Sequence, residues 1–380
     1  MRSITFFPVG NGNFCLIKVG DTTIVFDICD TEEETSLERL KPFLREEDGV
    51  YYLDVLCISH GDEDHCGGFA KFREEIDDGT LVVGAIWHSD YDRTKVKKED
   101  EVLPEDYLAL KDEIDRRKEI SSPSYGDIQV PLVTGVDESY AFEGLEKPEG
   151  FSLDVLNPFE DEDEEDRDVN DMSLVINLEV SGLSLLFPGD TGSGVWQERI
   201  IPYLEDGNDD LAQAPILVVS HHGSYTFFGK TREEVRDADP YPDNYEALDF
   251  IQPGYLIISA ESRFPTSRDS SGDSPPHYAA WKWYHKWFRD NRDVAEDDKH
   301  PESFRYTSEG YVRLEYGDDG WDFIDDWSPG DGDSDEGDSG NSSDNGSSSS
   351  GRTPGEAALI IAGRRRPSSR PVEYGEQLPL

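Results

Sequence analysis

Three apolar runs in this chain each stop on histidine or aspartate beside glycine. Leu53 to Ile58 runs into Ser59-His60-Gly61, Leu183 to Pro188 into Gly189-Asp190, and Pro215 to Val219 into Ser220-His221-His222-Gly223. Strands that end this way place ligand-type side chains on a rigid rim, and three such rims constrain the fold more tightly than composition does. The first is the densest: His60, Asp62, Asp64 and His65 fall within six residues. Carboxylates and imidazoles crowded at a strand end are costly to desolvate together, and a bound cation turns each of them into a ligand. The stretch therefore reads as half of a metal site, with Asp190 and the His221-His222 pair as the other half.

The rest of the chain reads as α+β. Ile4–Phe7 is a strand, Val9-Gly10-Asn11-Gly12-Asn13 a glycine-rich loop, and Phe14–Val19 with Thr23–Asp27 a hairpin around Gly20-Asp21. Phe69–Ile76 has the spacing of an amphipathic helix, and Leu81–Trp87 is a strand ending at His88. Ser173–Val180 and Leu183–Pro188 form a second hairpin, Tyr255–Ser259 is a further strand, and Pro276–Phe288 is an aromatic-rich helix. Tyr311–Tyr316 and Trp321–Ile324 close the domain, expected to span residues 1–327. A charged, helix-prone segment at about 90–150 reads as an insertion, and 159–168 as an acidic loop. Residues 328–380 are rich in Asp, Gly and Ser and have almost nothing to bury, so a disordered tail is expected there. The short apolar island Ala357–Ala362 within it is read as inert, with docking to a protein partner as the alternative.

Charge narrows the setting. Asp and Glu number 84 against 35 Lys and Arg, a formal net charge of -49, and the acids are spread along the whole chain. Such a surface suits a salt-rich cytoplasm, where a Debye length of ~3 Å at molar salt screens self-repulsion. A halophilic protein is expected. Met1–Pro8 lacks the apolar core of a secretory signal, and no stretch approaches the roughly 20 apolar residues of a membrane span, so no membrane association and a cytoplasmic location are expected. Cys15, Cys29, Cys57 and Cys66 show no CxxC pairing and read as reduced core residues, Cys66 bordering the site.

The pattern Ser-His-x-Asp-x-Asp-His-x-Gly-Gly at 59–68, followed by strand-terminal Gly189-Asp190 and Ser220-His221-His222-Gly223-Ser224, resembles the metallo-β-lactamase fold. More narrowly it resembles the hydrolase domain of ComEC-type DNA-uptake proteins, which carries Asp, as at Asp62, where other members have the second histidine of His-x-His-x-Asp-His. Val9–Asn13 is similar to that branch's opening "VGQGD", departing at Asn13, and Ile28-Cys29 departs from its "DGG". Asn170–Val175 is similar to its "NxxSLV" strand, and Ser259-Ala260 with His277 to its "SA…HP" segment. The resemblance spans about residues 3–290 and implies a four-layer αββα sandwich. It implies a first divalent metal on His60 and Asp62, helped by His221, a second on Asp64 and His65, and Asp190 bridging the two. His88 would be a third-motif ligand, and Asp27 would orient a ligand imidazole. Asp64 and His222 are the candidate catalytic residues; His222 either binds metal or protonates a leaving group.

Two cations ~3.5–4 Å apart can share a water and lower its pKa from ~15.7 toward ~7, giving a hydroxide that attacks a phosphorus or carbonyl centre. Asp62 makes the site oxygen-rich and moves the expected metal from strict Zn²⁺ toward Mn²⁺ or a mixed occupancy. The resemblance implies a phosphodiesterase acting on nucleic acid or a nucleotide-like ester. A net negative charge and the lack of a basic stripe oppose a long phosphate-tracking groove. Lys71, Arg73, Lys230, Arg232, Arg263 and Arg268 lie near the motifs as candidates for a small anion site. The alternatives are a lactonase-like hydrolase of small acyl or phosphoesters and a non-catalytic interaction protein.

Overall fold

Two-residue turns set the antiparallel parts of the structure. Ser181 and Gly182 both have positive φ (50° and 82°), as a type I′ hairpin turn requires, and they join strands paired from Val180 and Leu183 outward. The computed structural model describes residues 2–89, 91–96, 102–159, 169–268 and 272–329. Among these the strands are β1 (Arg2–Phe6), β2 (Cys15–Val19), β3 (Thr22–Phe26), β4 (Arg45–Glu47), β5 (Val50–Cys57), β6 (Leu81–His88), β7 (Ile128–Pro131), β8 (Phe151–Asn157), β9 (Val175–Val180), β10 (Leu183–Phe187), β11 (Ile216–Val218), β12 (Tyr255–Ile258), β13 (Phe304–Tyr306), β14 (Val312–Gly317) and β15 (Gly320–Ile324).

They form two sheets. The larger runs β15-β14-β1-β2-β3-β5-β6-β7, with β4 paired to the start of β5; the smaller runs β13-β12-β11-β10-β9-β8. Each switches from antiparallel to parallel part-way, at β3–β5 and at β10–β11. Parallel neighbours need long crossovers, and helices supply them, among them Phe69–Asp77, Glu105–Lys118, Ala247–Ile251 and Tyr278–Asn291.

The inner faces pack on each other. Ile4, Phe26, Val55 and Trp87 of the larger sheet meet Leu153, Ile176, Leu185 and Val218 of the smaller, and Phe26 stacks on Phe187 with ring centroids 4.4 Å apart. The outer face of the larger sheet is covered by Leu37, Leu40, Phe69, Phe72 and Leu110. That of the smaller is covered by Trp196, Leu248, Trp283, Tyr284 and Trp287. The order is helix, sheet, sheet, helix, the αββα sandwich that the resemblance implied.

The charged segment at about 90–150 is tied into this frame. Helix Glu105–Lys118 buries Tyr107 and Leu110, and β7 extends the larger sheet beyond β6. The fully buried Arg117 donates to Glu113 (2.7 Å) and to the carbonyls of Ile128 (2.6 Å) and Val83 (3.0 Å), so helix and sheet edge share one charge. The expected acidic loop at 159–168 lies outside the described residues from 160 on, and the expected disordered tail at 328–380 lies outside them from 330 on.

Candidate metal centre

The site forms where the parallel strands of both sheets end. β5 delivers Ser59 and His60, β10 delivers Asp190, and β11 delivers His221 and His222. The two rims are joined directly, since Leu174 N donates to Ser59 O at 2.9 Å, and within the smaller sheet His221 N donates to Gly189 O at 3.3 Å. The loop Val9–Asn13 closes over them: Asn13 N donates to Asp64 O (3.1 Å), and Ser259 Oγ donates to Gly12 O (2.5 Å). Gly12 is needed there because a Cβ would stand 2.5 Å from Cys29 Sγ and 3.0 Å from Asp64 O.

Three non-glycine residues of the site hold left-handed backbone, Asp27 (φ 53°), His221 (φ 49°) and His222 (φ 53°). That conformation costs about 1–2 kcal/mol per residue and persists only where surrounding contacts impose it. Its effect here is to turn the two adjacent imidazoles apart, their rings lying at 85° to each other.

Each buried imidazole is held by Nδ1. His65 Nδ1 donates to Asp27 Oδ2 at 2.8 Å. Ser59 Oγ donates to the same oxygen at 2.8 Å and accepts from His60 Nδ1 at 3.1 Å. His222 Nδ1 donates to the Ser259 carbonyl at 2.9 Å. The hydrogen bond at one ring nitrogen leaves the other as the ligand, so Nε2 of His60, His65 and His222 all face inward. Among the described residues none of these three nitrogens has a hydrogen-bond partner, and neither has Asp190 Oδ1. His65 Nε2 comes within 3.0 Å of Asp190 Oδ1 and His222 Nε2 within 3.2 Å of Asp64 Oδ2, but neither contact is aligned as a hydrogen bond. Converging buried polar atoms without partners are costly unless a cation joins them.

One ligand atom each from Asp64, His65, Asp190 and His222 lies within 4.8 Å of the others. The remaining expected ligands stand around this group. His60 Nε2 is 3.7 Å from Asp62 Oδ2 and 4.0 Å from Asp190 Oδ2. His221 Nε2 is 3.7 Å from Asp190 Oδ2, its Nδ1 lies 3.1 Å from Thr226 Oγ1, and its side chain is 27% exposed against 2% for His222. His88 lies outside the group, with Nε2 at 2.9 Å from Gln129 Oε1. Asp27 takes the orienting position the resemblance gave it.

The electrostatics follow from this packing. Burial pushes the Asp64 carboxyl up, but the close approach of His222 and the charges of His65 and His222 outweigh it and hold the group at about 2. Burial opposes ionisation of Asp190 too, and His65, His222 and His60 together hold it well below the usual carboxylate range. Burial disfavours a charged His65, yet Asp190 and Asp27 hold it well above the usual imidazole range. His221 is pushed down, mainly by burial.

The sequence reading missed Arg93. Its Nη1 donates to Asp62 Oδ1 at 2.5 Å and to Gly61 O at 2.8 Å, and its backbone N donates to Tyr107 Oη at 2.8 Å. Nothing in the charged run around it distinguishes this arginine from its neighbours. Of the cations named for an anion site, Lys71 lines an open groove beside Asp64 and is paired with Glu74 at 2.9 Å, and Arg73 and Arg263 are paired with Glu113 and Glu309.

The family model of the metallo-beta-lactamase superfamily matches residues 7–166, somewhat less than half of the chain. With that match, the two-sheet architecture is the metallo-β-lactamase superfamily fold, and the His/Asp cluster on it is the metal site of a hydrolase of that fold. Among solved structures the chain is similar to Igni18, a metallo hydrolase from Ignicoccus hospitalis (13% identity, TM-score 0.41, 83% of this chain and 100% of that one). It is also similar to the short form of human tRNase Z (14%, 0.37, 68% and 92%) and to the metallo-beta-lactamase fold protein YhfI of Bacillus subtilis (11%, 0.36, 68% and 87%). At such scores these likenesses imply nothing about chemistry. No curated protein matches the sequence.

Proposed function

We propose that this chain is a metal-dependent phosphodiesterase acting on a nucleotide-like or nucleic-acid ester in a salt-rich cytoplasm. The observation that carries the reading is the convergence of Asp64, His65, Asp190 and His222 with partnerless Nε2 atoms and a partnerless carboxylate oxygen. A divalent cation held there, Mn²⁺ or Zn²⁺, supplies a Lewis acid and acidifies an adjacent water from ~15.7 toward ~7. The protein's part is to fix the ligands. Asp27 and Ser59 orient His65, the Ser259 carbonyl orients His222, and Asp190 draws the imidazoles of both sheets to one point.

The resemblance to ComEC-type hydrolase domains supports phosphorus as the electrophile. The groove beside Asp64, about 590 Å³, is lined by Asp30, Glu63 and Asp106, with Lys71 as the cation among its lining residues. A long polyanion finds no cationic track along it.

The test is hydrolysis of bis-p-nitrophenyl phosphate against a panel of lactones, in molar KCl with Mn²⁺ or Zn²⁺. Turnover of the phosphodiester that disappears in Asp64→Ala is expected. Preference for lactones, or an Asp64→Ala variant as active as the parent, overturns the reading.

A further inference from the structure

The expectation of two cations depends on Asp62 acting as a ligand beside His60, and at Asp62 the geometry departs from it. Oδ1 of Asp62 is committed to Arg93 Nη1 at 2.5 Å in a charge-assisted hydrogen bond. The same Nη1 is anchored on Gly61 O, and the arginine side chain is 14% exposed. The backbone of Arg93 is itself held by Tyr107. That ring lies so close to Gly61 that a Cβ there would stand 2.5 Å from Tyr107 Cδ2. Arg93 is thus seated by the chain on both sides. A guanidinium cannot deprotonate in a protein, so its charge is permanent. His60 and Asp62 both lie outside the tight group of Asp64, His65, Asp190 and His222.

We propose that this chain holds one divalent cation, on Asp64, His65, Asp190 and His222, and that Arg93 supplies the positive charge on the His60–Asp62 side that a second cation would otherwise bring. The proposal rests on the metal-dependent reading above. Asp62 keeps only Oδ2 on that side, 3.7 Å from His60 Nε2, its other oxygen being held by the guanidinium. The proposal also gives Arg93 a role toward the substrate: a fixed cation next to the metal favours an ester that carries negative charge over a neutral lactone.

The experiment counts bound metal without reference to turnover. The full chain is stripped with chelator and reloaded with Mn²⁺ in molar KCl. Metal content is measured after equilibrium dialysis, and the electron paramagnetic resonance spectrum is recorded. One equivalent per chain with the six-line spectrum of isolated Mn²⁺ is expected. Two equivalents of comparable affinity, or the spectrum of a coupled pair, overturn the proposal and leave the hydrolase reading standing. One equivalent without phosphodiester hydrolysis sinks the hydrolase reading alone, and no bound metal sinks both. Arg93→Ala is expected to take up a second equivalent and Arg93→Lys to keep one. An Arg93→Ala protein with native circular dichroism that still holds one equivalent removes the role given to Arg93.

Discussion

Asp27 Oδ2 stands 2.8 Å from His65 Nδ1, and this one contact decides which nitrogen of His65 faces Asp190. The same carboxylate accepts from the backbone N (2.6 Å) and the hydroxyl (2.8 Å) of Ser59, so it also fixes the residue that holds His60. Its left-handed backbone (φ 53°) is the local cost of aiming it there. Replacing it by alanine, Asp27→Ala, is expected to weaken cation binding about 10–100-fold, as loss of a ligand-orienting carboxylate does. Competition with a chromophoric chelator measures this, and unchanged affinity would show that His65 needs no such support.

His222 and His221 are separated by the geometry. His222 belongs to the tight group, is 2% exposed and has Nδ1 anchored on Ser259. His221 is 27% exposed, lies outside that group, and has its Nδ1 3.1 Å from Thr226 Oγ1. His222→Ala should therefore cost at least ten times more cation affinity than His221→Ala. Titration of both variants with Mn²⁺ checks the order, and the reverse order would refute it.

Cation uptake by the stripped protein should release protons. Asp190 and Asp27 raise the pKa of His65 well above its ordinary value, so near neutrality the metal-free imidazole carries a proton that the cation must displace. A raised pKa means the protonated form persists until pH climbs through the raised value, so apparent affinity should rise with pH up to that point. Isothermal titration in buffers of differing ionisation enthalpy measures the release; uptake independent of pH and buffer would contradict it.

Arg117 ties the charged segment to the larger sheet. Arg117→Ala leaves Glu113 without one of its buried partners and frees the carbonyls of Val83 and Ile128. Breaking a buried pair in this way costs about 3–5 kcal/mol. Urea denaturation in high salt should show a loss of that size, and a change under about 1 kcal/mol would mean the helix contributes little to the fold.

Salt should govern stability throughout. With a formal net charge of -49, self-repulsion is screened only at high ionic strength. Melting followed by circular dichroism is expected to show the midpoint climbing with KCl and structure lost in dilute buffer. Full stability without salt would remove the halophilic reading.

The sequence by itself determined the strand ends. Apolar runs marked the C-terminal ends of β5, β10 and β11 to within a residue, and each breaks into His or Asp beside Gly because a sheet cannot continue through a ligand cluster. Short or exposed strands were not legible: β4 is three exposed residues with no apolar signal, and β7, which buries Ile128 and Val130, is only four residues long behind a charged helix. The pairing of β1 with β14, more than 300 residues away, was equally hidden, since register between distant strands depends on the assembled core. Tertiary structure alone decided which nitrogen each imidazole presents, because that depends on Asp27, Ser59 and Ser259 meeting from separate strands. It alone brought Arg93 onto Asp62, 31 positions earlier in the chain. Ligand identity is local and can be read from residue order; ligand orientation and charge balance arise only where strand ends from two sheets converge.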